Sequence, residues 1–384
     1  MAKQRNSNIE ILRIFSMLLI VIGHCIGTRF EGTNQQLNVF LTNTVFGSWA
    51  ILGVDLFVII SAWFLCEQSF KSTRVISVLF EAICYIFAFS IVYVVMVGIE
   101  SGSIVVALKS TVLFYLDGIF KQHHWFVVAY ILMCFVAPLL NKLIDCITKS
   151  SLKSILIVAT LAFIYQNFTG AGYYSVIADS ADFLYIYLLV GYLKKYGVTI
   201  KRPLLNTFVI FAAVIAGKVS LRYISDDGLW HYIYKLIDVT IANIYRYSPV
   251  LVLLAVNIFA FVIMKKPKSN SVINAIAGAS FGVYLFHETY IPISYSFISP
   301  ATSEPVVRSQ IALRDLVVGW FCDNGFINTG LLFTVEILAV AFLIFICGTL
   351  FELLRNTLIQ KPVMKGISNK RRKTIERLDS KLND

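Results

Sequence analysis

Charged residues are scarce in this chain of 384 residues. They make up 14% of it and hydrophobic residues 58%, whereas soluble domains carry about 25% charged residues. A water-soluble fold of this length could not bury so much apolar surface. The composition therefore excludes soluble enzymes, nucleic-acid-binding proteins and disordered proteins. The net charge of +11 has to be interpreted from the side of the bilayer on which the basic residues lie.

The chain also lacks the patterns of several common sites. Its seven cysteines lie mostly within apolar runs and form neither a disulfide framework nor a metal-binding spacing. It has no glycine loop typical of phosphate binding and no Ser-His-Asp pattern. The first apolar run follows basic residues, but no A-x-A-like cleavage site comes after it, so we predict that it is retained in the protein. We expect no metal and no tightly bound cofactor.

Ten apolar runs approach the roughly 20 residues that a membrane crossing takes. They are residues 9–27, 45–66, 75–98, 124–144, 152–168, 176–193, 203–223, 245–264, 271–295 and 329–351. If these spans alternate from an inner N-terminus, 24 of the 33 Lys and Arg residues lie inside and 8 lie outside. This asymmetry predicts an all-α polytopic bundle of about ten transmembrane helices with both termini cytoplasmic. Residues 1–360 are assigned to the transmembrane domain and 361–384 to a basic cytoplasmic tail.

Ionisable side chains form one polar stripe on the first span. At 100° per residue, Arg13 and His24 lie about 20° apart around a helix, and Glu10 lies about 40° from His24. Such groups are costly in a membrane and are functional candidates, although a lone histidine more often only hydrogen-bonds between helices. The predicted topology puts all five histidines in the outer half or on the outer side. We therefore predict an outward-opening polar cavity with Arg13 at its cytoplasmic root.

Other polar and aromatic residues of the spans have simpler interpretations beside the functional one. Asp55 is more simply explained as an interhelical hydrogen-bond partner than as a base. Ser61 is more simply explained as a small packing residue than as a nucleophile. Trp125 fits the aromatic belt at a span end. His287 and Glu288 are adjacent, and neighbours in a helix point about 100° apart, so the two need not face one cavity.

Four patches of the sequence occur together in one order. They are Asn8 to Arg13 leading to His24, Gly53 to Ser61, His124-Trp125-Phe126 followed by Pro138, and Ser280 to His287. Together with the ten-span count, these patches resemble the acyltransferase 3 family of integral membrane acyltransferases. One departure is Ala62, where that family usually has glycine after the serine.

The resemblance implies transfer of an acyl group, most often acetyl, from cytoplasmic acyl-CoA to a hydroxyl of a cell-surface or lipid-linked polysaccharide. His24 would then act as the base or carry the acyl group transiently, with Arg13 in the catalytic machinery, and Arg13 and Glu10 would bind the donor. The acceptor side would be lined by His124, Trp125, Tyr284, His287 and Glu288, with Asp55 and Ser61 in support. The expected setting is a bacterial cytoplasmic membrane, with acyl-CoA, glycan and lipid as partners and no nucleic acid.

Three other classes remain open. A glycan polymerase or flippase would use the basic outer loop, with Arg308 and Arg314 as its working residues. A solute transporter would need an ion path, for which Glu81, Lys218 and Glu336 are the candidates. A sensor that binds acyl-CoA or glycan without chemistry is the third.

Overall fold

The computed structural model of the protein describes residues 5–27, 36–120, 125–169, 176–224, 227–242, 248–294, 309–370 and 372–383. Helices dominate these residues, and the predicted all-α class is confirmed. One short antiparallel hairpin, β1 (Tyr290–Ser294) and β2 (Ser309–Ala312), was not predicted.

Seventeen α-helices lie within the described residues. The first nine are α1 (Ser7–Gly27), α2 (Leu37–Val45), α3 (Ala50–Leu65), α4 (Ser72–Ser101), α5 (Ile104–Phe120), α6 (Trp125–Cys146), α7 (Lys149–Thr169), α8 (Val176–Lys195) and α9 (Pro203–Leu221). The others are α10 (Gly228–Ile237), α11 (Pro249–Ile263), α12 (Ser271–Gly278), α13 (Ser280–His287), α14 (Leu313–Asp323), α15 (Phe333–Arg355), α16 (Lys361–Lys370) and α17 (Arg372–Asn383). A 3-10 turn (Gly47–Trp49) precedes α3, and π-helical turns follow α10 (Asp238–Ala242) and α15 (Asn356–Gln360).

Each of the ten predicted spans coincides with helical structure. In the described part of the chain, seven helices are long and apolar enough to cross a bilayer: α1, α2 with α3, α4, α6, α7, α9 and α15 with its extension. The protein is thus a multi-pass membrane protein. The helices α8, α11 and α12–α13 are shorter or more polar, so the count of ten and the orientation of the termini stay predictions.

The predicted span 271–295 is wrong after His287. Helix α12 ends at Gly278, α13 ends at His287, and the chain continues as the strand β1. Pro292 lies in that strand, and proline has no N–H for a helix and its ring clashes with the preceding turn. The helical segment therefore stops before the proline, and the residues after His287 are available for the hairpin.

A helix between the third and fourth predicted spans was not foreseen. Gly102 adopts a left-handed conformation with φ of 66° after α4, which lets the chain reverse, and α5 packs back against α4. This turn favours glycine, because other L-residues are strained at positive φ.

Helix α1 lies at the centre of the bundle and contacts α3, α11, α13 and α15. Its approach to the start of α3 is close because Gly23 has no side chain. A Cβ atom at Gly23 would lie 2.6 Å from the Ala50 Cβ and 2.8 Å from the Gly47 carbonyl oxygen. This contact fixes the backbone of α1 one residue before His24.

The basic tail contains α16 and α17, and α17 packs on the start of α4. The Ser72 amide donates to Asp379 Oδ1 at 2.7 Å, and the Phe70 amide donates to Asn383 Oδ1 at 2.7 Å. These side chains satisfy amides at a helix start that has no cap from its own N-cap residue, Lys71.

Candidate active site

His24 meets two residues from the end of α13. Its Nδ1 atom lies 2.6 Å from Glu288 Oε1 and 3.1 Å from His287 Nε2. Glu288 is the C-cap residue of α13 and no longer helical, which lets its carboxylate turn toward α1 although His287 precedes it directly. The structure thus brings together three predicted site residues, and the two neighbours on α13 do face one site.

The hydrogen bonds define which atoms carry protons. His287 Nδ1 lies 2.8 Å from the Val283 carbonyl oxygen, which can only accept, so the neutral His287 ring donates from Nδ1 and accepts at Nε2. His24 Nδ1 then donates toward Glu288 and His287, and the lone pair of the neutral His24 ring is on Nε2. The side chain of His24 is 32% exposed and that of His287 is fully buried. Only His24 can therefore meet a substrate.

Arg314 is the buried cation of this site. Its Nη1 binds Glu288 Oε1, and its Nε lies 3.4 Å from Asp315 Oδ1. The hairpin explains the contact. Tyr290 pairs with Ala312, and the Leu313 amide donates to the Thr289 carbonyl at 2.8 Å. Arg314 follows Leu313 into α14, and Glu288 comes directly before Thr289, so the end of the hairpin places Glu288 and Arg314 side by side.

The sequence interpretation missed this role of Arg314. It placed the residue in a basic outer loop that would cover the site or contact a lipid-linked glycan, and named it as a working residue only for a glycan polymerase or flippase. The structure buries the side chain against a carboxylate. The only signal is the strand register, which cannot be read from two short segments of sequence.

His24, His287 and Glu288 are also a set that could hold a metal ion, since their ligand atoms lie within 4.8 Å of one another. A tetrahedral ion with bonds of about 2.0–2.2 Å needs ligand atoms roughly 3.3 Å apart. The 2.6 Å between His24 Nδ1 and Glu288 Oε1 is a hydrogen-bond distance instead. The bound guanidinium of Arg314 also occupies the carboxylate that an ion would need. The contacts favour a hydrogen-bonded network over a metal centre.

Aromatic rings connect the predicted acceptor-side residues. Tyr284 stands edge-on to His287 with ring centroids 6.0 Å apart, and its ring centroid is 5.1 Å from that of Phe126. Trp125 follows at 5.9 Å from Phe126. Trp125 and Tyr284 thus belong to one aromatic wall beside the histidines. His124 lies outside the described residues.

The N-terminal end of α1, which is the predicted inner end, holds the second group of predicted residues. Glu10 is buried and binds Arg13 Nη1 at 2.7 Å and Arg5 Nε at 3.1 Å. The spacing of 11 residues puts Arg13 about 16 Å from His24 along the helix axis. Glu10 is therefore placed to hold the arginines rather than to contact an anion itself.

The supporting residues have different surroundings. The Ser61 hydroxyl donates to the Phe57 carbonyl at 2.9 Å and bonds with the Tyr130 hydroxyl. Tyr130 also lies within the electrostatic reach of Arg13 and of Arg74 at the start of α4, a basic residue that was not singled out from the sequence. Ser61 therefore belongs to the inner end of the site.

Asp55 is buried, and the charged group that faces it is the carboxylate of Asp182 on α8. It makes no contact with His24 among the described hydrogen bonds. The structure thus leaves Asp55 away from the histidine cluster.

The candidates for a transporter's ion path do not form one. Glu81 lies 3.7 Å from Arg355 on α15, Lys218 donates to the Ser48 hydroxyl, and Glu336 accepts from the Asn328 amide. Each of the three has its own partner in a different part of the described structure.

Comparison with known families gives one match. The sequence profile of the acyltransferase 3 family, described as an acyltransferase domain, matches residues 6–353. No curated protein and no solved structure matches the chain.

Proposed function

Because the chain belongs to the acyltransferase 3 family and is a membrane acyltransferase, we propose that it transfers an acetyl group from cytoplasmic acetyl-CoA. The acceptor is a hydroxyl of a surface or lipid-linked polysaccharide, and the site of action is a bacterial cytoplasmic membrane. The observation that carries this proposal is the 2.6 Å contact between His24 Nδ1 and Glu288 Oε1 on a side chain that is 32% exposed, because it pairs a histidine that a substrate can reach with a carboxylate that orients its ring.

His24 acts as the general base of the reaction. Its Nε2 takes the proton of the acceptor hydroxyl while the hydroxyl oxygen attacks the thioester carbonyl carbon. The C–O bond forms, the C–S bond breaks, and the proton on His24 passes to the sulfur of the departing CoA. Glu288 stabilises the imidazolium that exists between these steps, as a carboxylate does in other histidine-dependent acyl transfers.

The same geometry also suits a two-step route. His24 Nε2 would first attack the thioester carbonyl carbon, the C–S bond would break, and the CoA thiolate would leave. The glycan hydroxyl would then take the acetyl group from the acetyl-imidazolium, and its proton would pass to the thiolate. The two routes differ in one observable, since only the second produces an acetylated His24 in the absence of acceptor. Mass spectrometry of protein quenched after mixing with acetyl-CoA separates them.

Glu288 and His287 have a different role here from the acceptor binding that the sequence suggested. Glu288 is shared by His24 and Arg314, and His287 is buried, so both position the base. Trp125, which is partly exposed, remains the proposed acceptor-side residue, because an aromatic face packs well on the apolar face of a sugar ring. Tyr284 is buried and supports Trp125 through Phe126.

Arg13 is proposed to bind the phosphates of CoA. Its guanidinium suits phosphate, and Glu10 holds it at the inner end of α1. Arg74 adds a second positive charge there. The separation of about 16 Å between Arg13 and His24 suits the extended pantetheine arm that joins the phosphates of CoA to its thioester.

The experiment uses purified protein in liposomes with radiolabelled acetyl-CoA and a pool of surface glycans. We expect His24→Ala to lower label transfer about 10²–10⁴-fold, the usual contribution of a positioned base. His231→Ala on α10 is the matched control and should keep wild-type transfer. Full activity of His24→Ala at equal membrane abundance would contradict the assignment. If the wild type neither labels glycan nor releases CoA, the acyltransferase proposal fails for this pool of acceptors.

A further inference from the structure

An apolar cavity lies away from the histidine cluster. Its volume is about 280 Å³, and it is enclosed by α3, α8, α11 and the segment after α8. Its walls include Ile59, Trp63, Val190, Phe259 and Ala260. Apart from Lys194 and Thr199, the lining side chains are apolar or absent, as in glycine. A cavity of this kind takes hydrocarbon rather than a polar substrate.

The cavity is separate from the proposed donor site. Ile59 and Trp63 are four residues apart and lie on one face of α3, whereas Ser61 lies about 200° around the helix from Ile59. Ser61 is the residue that bonds with Tyr130 near Arg13. Helix α3 thus stands between the cavity and the arginine of the donor end.

One lysine marks the mouth of the cavity. Lys194 lies over the Trp63 ring with its Nζ 4.5 Å from the centroid, and it donates to the Trp63 carbonyl at 2.6 Å. Its ionic partner is Glu67 at 2.8 Å, an exposed side chain that can rotate away. A positive charge thus lies directly at the entrance to an apolar chamber.

Further basic residues surround this end of the protein. Lys201 and Arg202 follow the cavity wall formed by Val198–Ile200, and Lys265 and Lys266 follow Met264; all four are exposed. The charge asymmetry of the sequence predicts that this side faces the cytoplasm. Basic pockets between transmembrane helices on the cytoplasmic side suit anionic lipid headgroups.

We propose that this cavity binds one anionic phospholipid of the inner leaflet, with an acyl chain between α3, α8 and α11 and the phosphate at Lys194. The apolar walls supply affinity for the chain. The lysine and the basic rim select a negative headgroup over a zwitterionic one. This site is independent of the proposed acetyl transfer, since it shares no residue with the His24 or Arg13 clusters.

Native mass spectrometry tests the proposal on the full protein. The protein is incubated with equal amounts of phosphatidylglycerol and phosphatidylcholine that carry the same chains, and the lipid retained after detergent exchange is counted. We expect one retained lipid, with phosphatidylglycerol preferred about fivefold. Lys194→Gln should abolish the preference and Lys194→Arg should keep it.

A variant with a filled cavity distinguishes lipid bound in this cavity from lipid bound nonspecifically to the protein surface. Ala260→Phe places a ring in the chamber and should lower retained lipid at least about fivefold, an effect near 1 kcal/mol. The matched control is Ala212→Phe on the exposed face of α9, which should retain lipid as the wild type does. If Ala260→Phe loses its helical content or its elution position, Ile263→Trp is used in its place.

Three results would overturn the proposal. One is wild-type lipid retention in the filled variant. A second is equal retention of the two lipids by the wild type, which would mean that Lys194 does not select a headgroup with net negative charge. The third is displacement of the lipid by acetyl-CoA, which would make the cavity part of the donor site. Each is read from bound lipid, so a failure here is distinct from a failure of acetyl transfer.

Discussion

A buried glutamate binds arginine at each end of α1, and the two ion pairs have different roles. At the C-terminal end of α1, which is the predicted outer end, Glu288 binds Arg314, whose side chain is only 7% exposed, and it also binds His24. At the inner end, Glu10 binds Arg5 and Arg13, whose side chains are 52% and 16% exposed. Arg314 is thus enclosed, whereas Arg13 is partly exposed and Arg5 is exposed.

This difference indicates what each glutamate does. A buried Arg–Glu pair cannot contact a charged ligand. Its carboxylate instead acts on the histidine that it binds, by orienting the ring. An accessible arginine held by a glutamate keeps hydrogen-bond donors for an incoming anion. The outer end therefore orients a base and the inner end presents charge. Three predictions test this comparison.

The largest effect is expected from Glu288→Gln. The amide can donate to His24 Nδ1, which would move the ring proton to Nε2 and remove the lone pair that accepts the substrate proton. We expect kcat to fall about 10²–10⁴-fold, with little change in the KM for acetyl-CoA. Steady-state kinetics in liposomes measure both, and Glu336→Gln at the outer end of α15 is the control. A change confined to KM would move Glu288 from orientation to substrate binding.

A smaller effect is expected from Arg314→Ala. Removing the guanidinium leaves the buried Glu288 carboxylate without its counter-charge, which costs about 3–5 kcal/mol in comparable buried pairs. We expect a lower melting temperature in detergent. We also expect kcat to fall about tenfold because His24 is oriented less well, which corresponds to about 1.4 kcal/mol in the activation free energy.

Arg314→Lys separates the two contributions. It should recover most of the stability because the charge returns, and only part of kcat because lysine lacks the planar geometry of the guanidinium. Exposed Lys109→Ala should change neither quantity. Wild-type kcat in Arg314→Ala would mean that Glu288 needs no arginine to orient His24.

The smallest effects belong to the inner end. Arg13→Gln should weaken the binding of a non-reactive thioether analogue of acetyl-CoA about tenfold, the value of one charged hydrogen bond. Its kcat at saturating donor should be unchanged. Arg5→Gln should weaken binding less than about threefold, because an exposed charge contributes little. Calorimetric titration of both variants measures this, and equal losses would contradict the separate roles.

The same comparison shows how far the sequence could predict the site. The inner pair and the placement of His24 follow from helical periodicity within one segment, so Glu10, Arg13 and His24 could be singled out from spacing alone. Arg314 is 26 residues from Glu288 and meets it through a strand register. That register depends on backbone pairing between two short strands, and no periodicity in either segment specifies it.

The fold shows a similar division. Each of the ten apolar runs found from hydropathy contains helical structure, because a membrane helix needs apolar residues over a fixed length. Hydropathy did not locate α5 or the end of α13 at His287. Those features depend on local backbone geometry, namely the left-handed Gly102 and the chain before Pro292. Such geometry depends on single residues, and a hydropathy average over about 20 residues does not detect it.

The contact between α17 and α4 has a consequence for biosynthesis. The amides of Phe70 and Ser72 are bonded by Asn383 and Asp379, which the ribosome adds about 300 residues later. Helix α4 must therefore enter the membrane with these amides bonded to water or to other groups, and it gains these two bonds only when translation has passed residue 383. The order of synthesis makes this helix start one of the last parts of the protein to reach its final form.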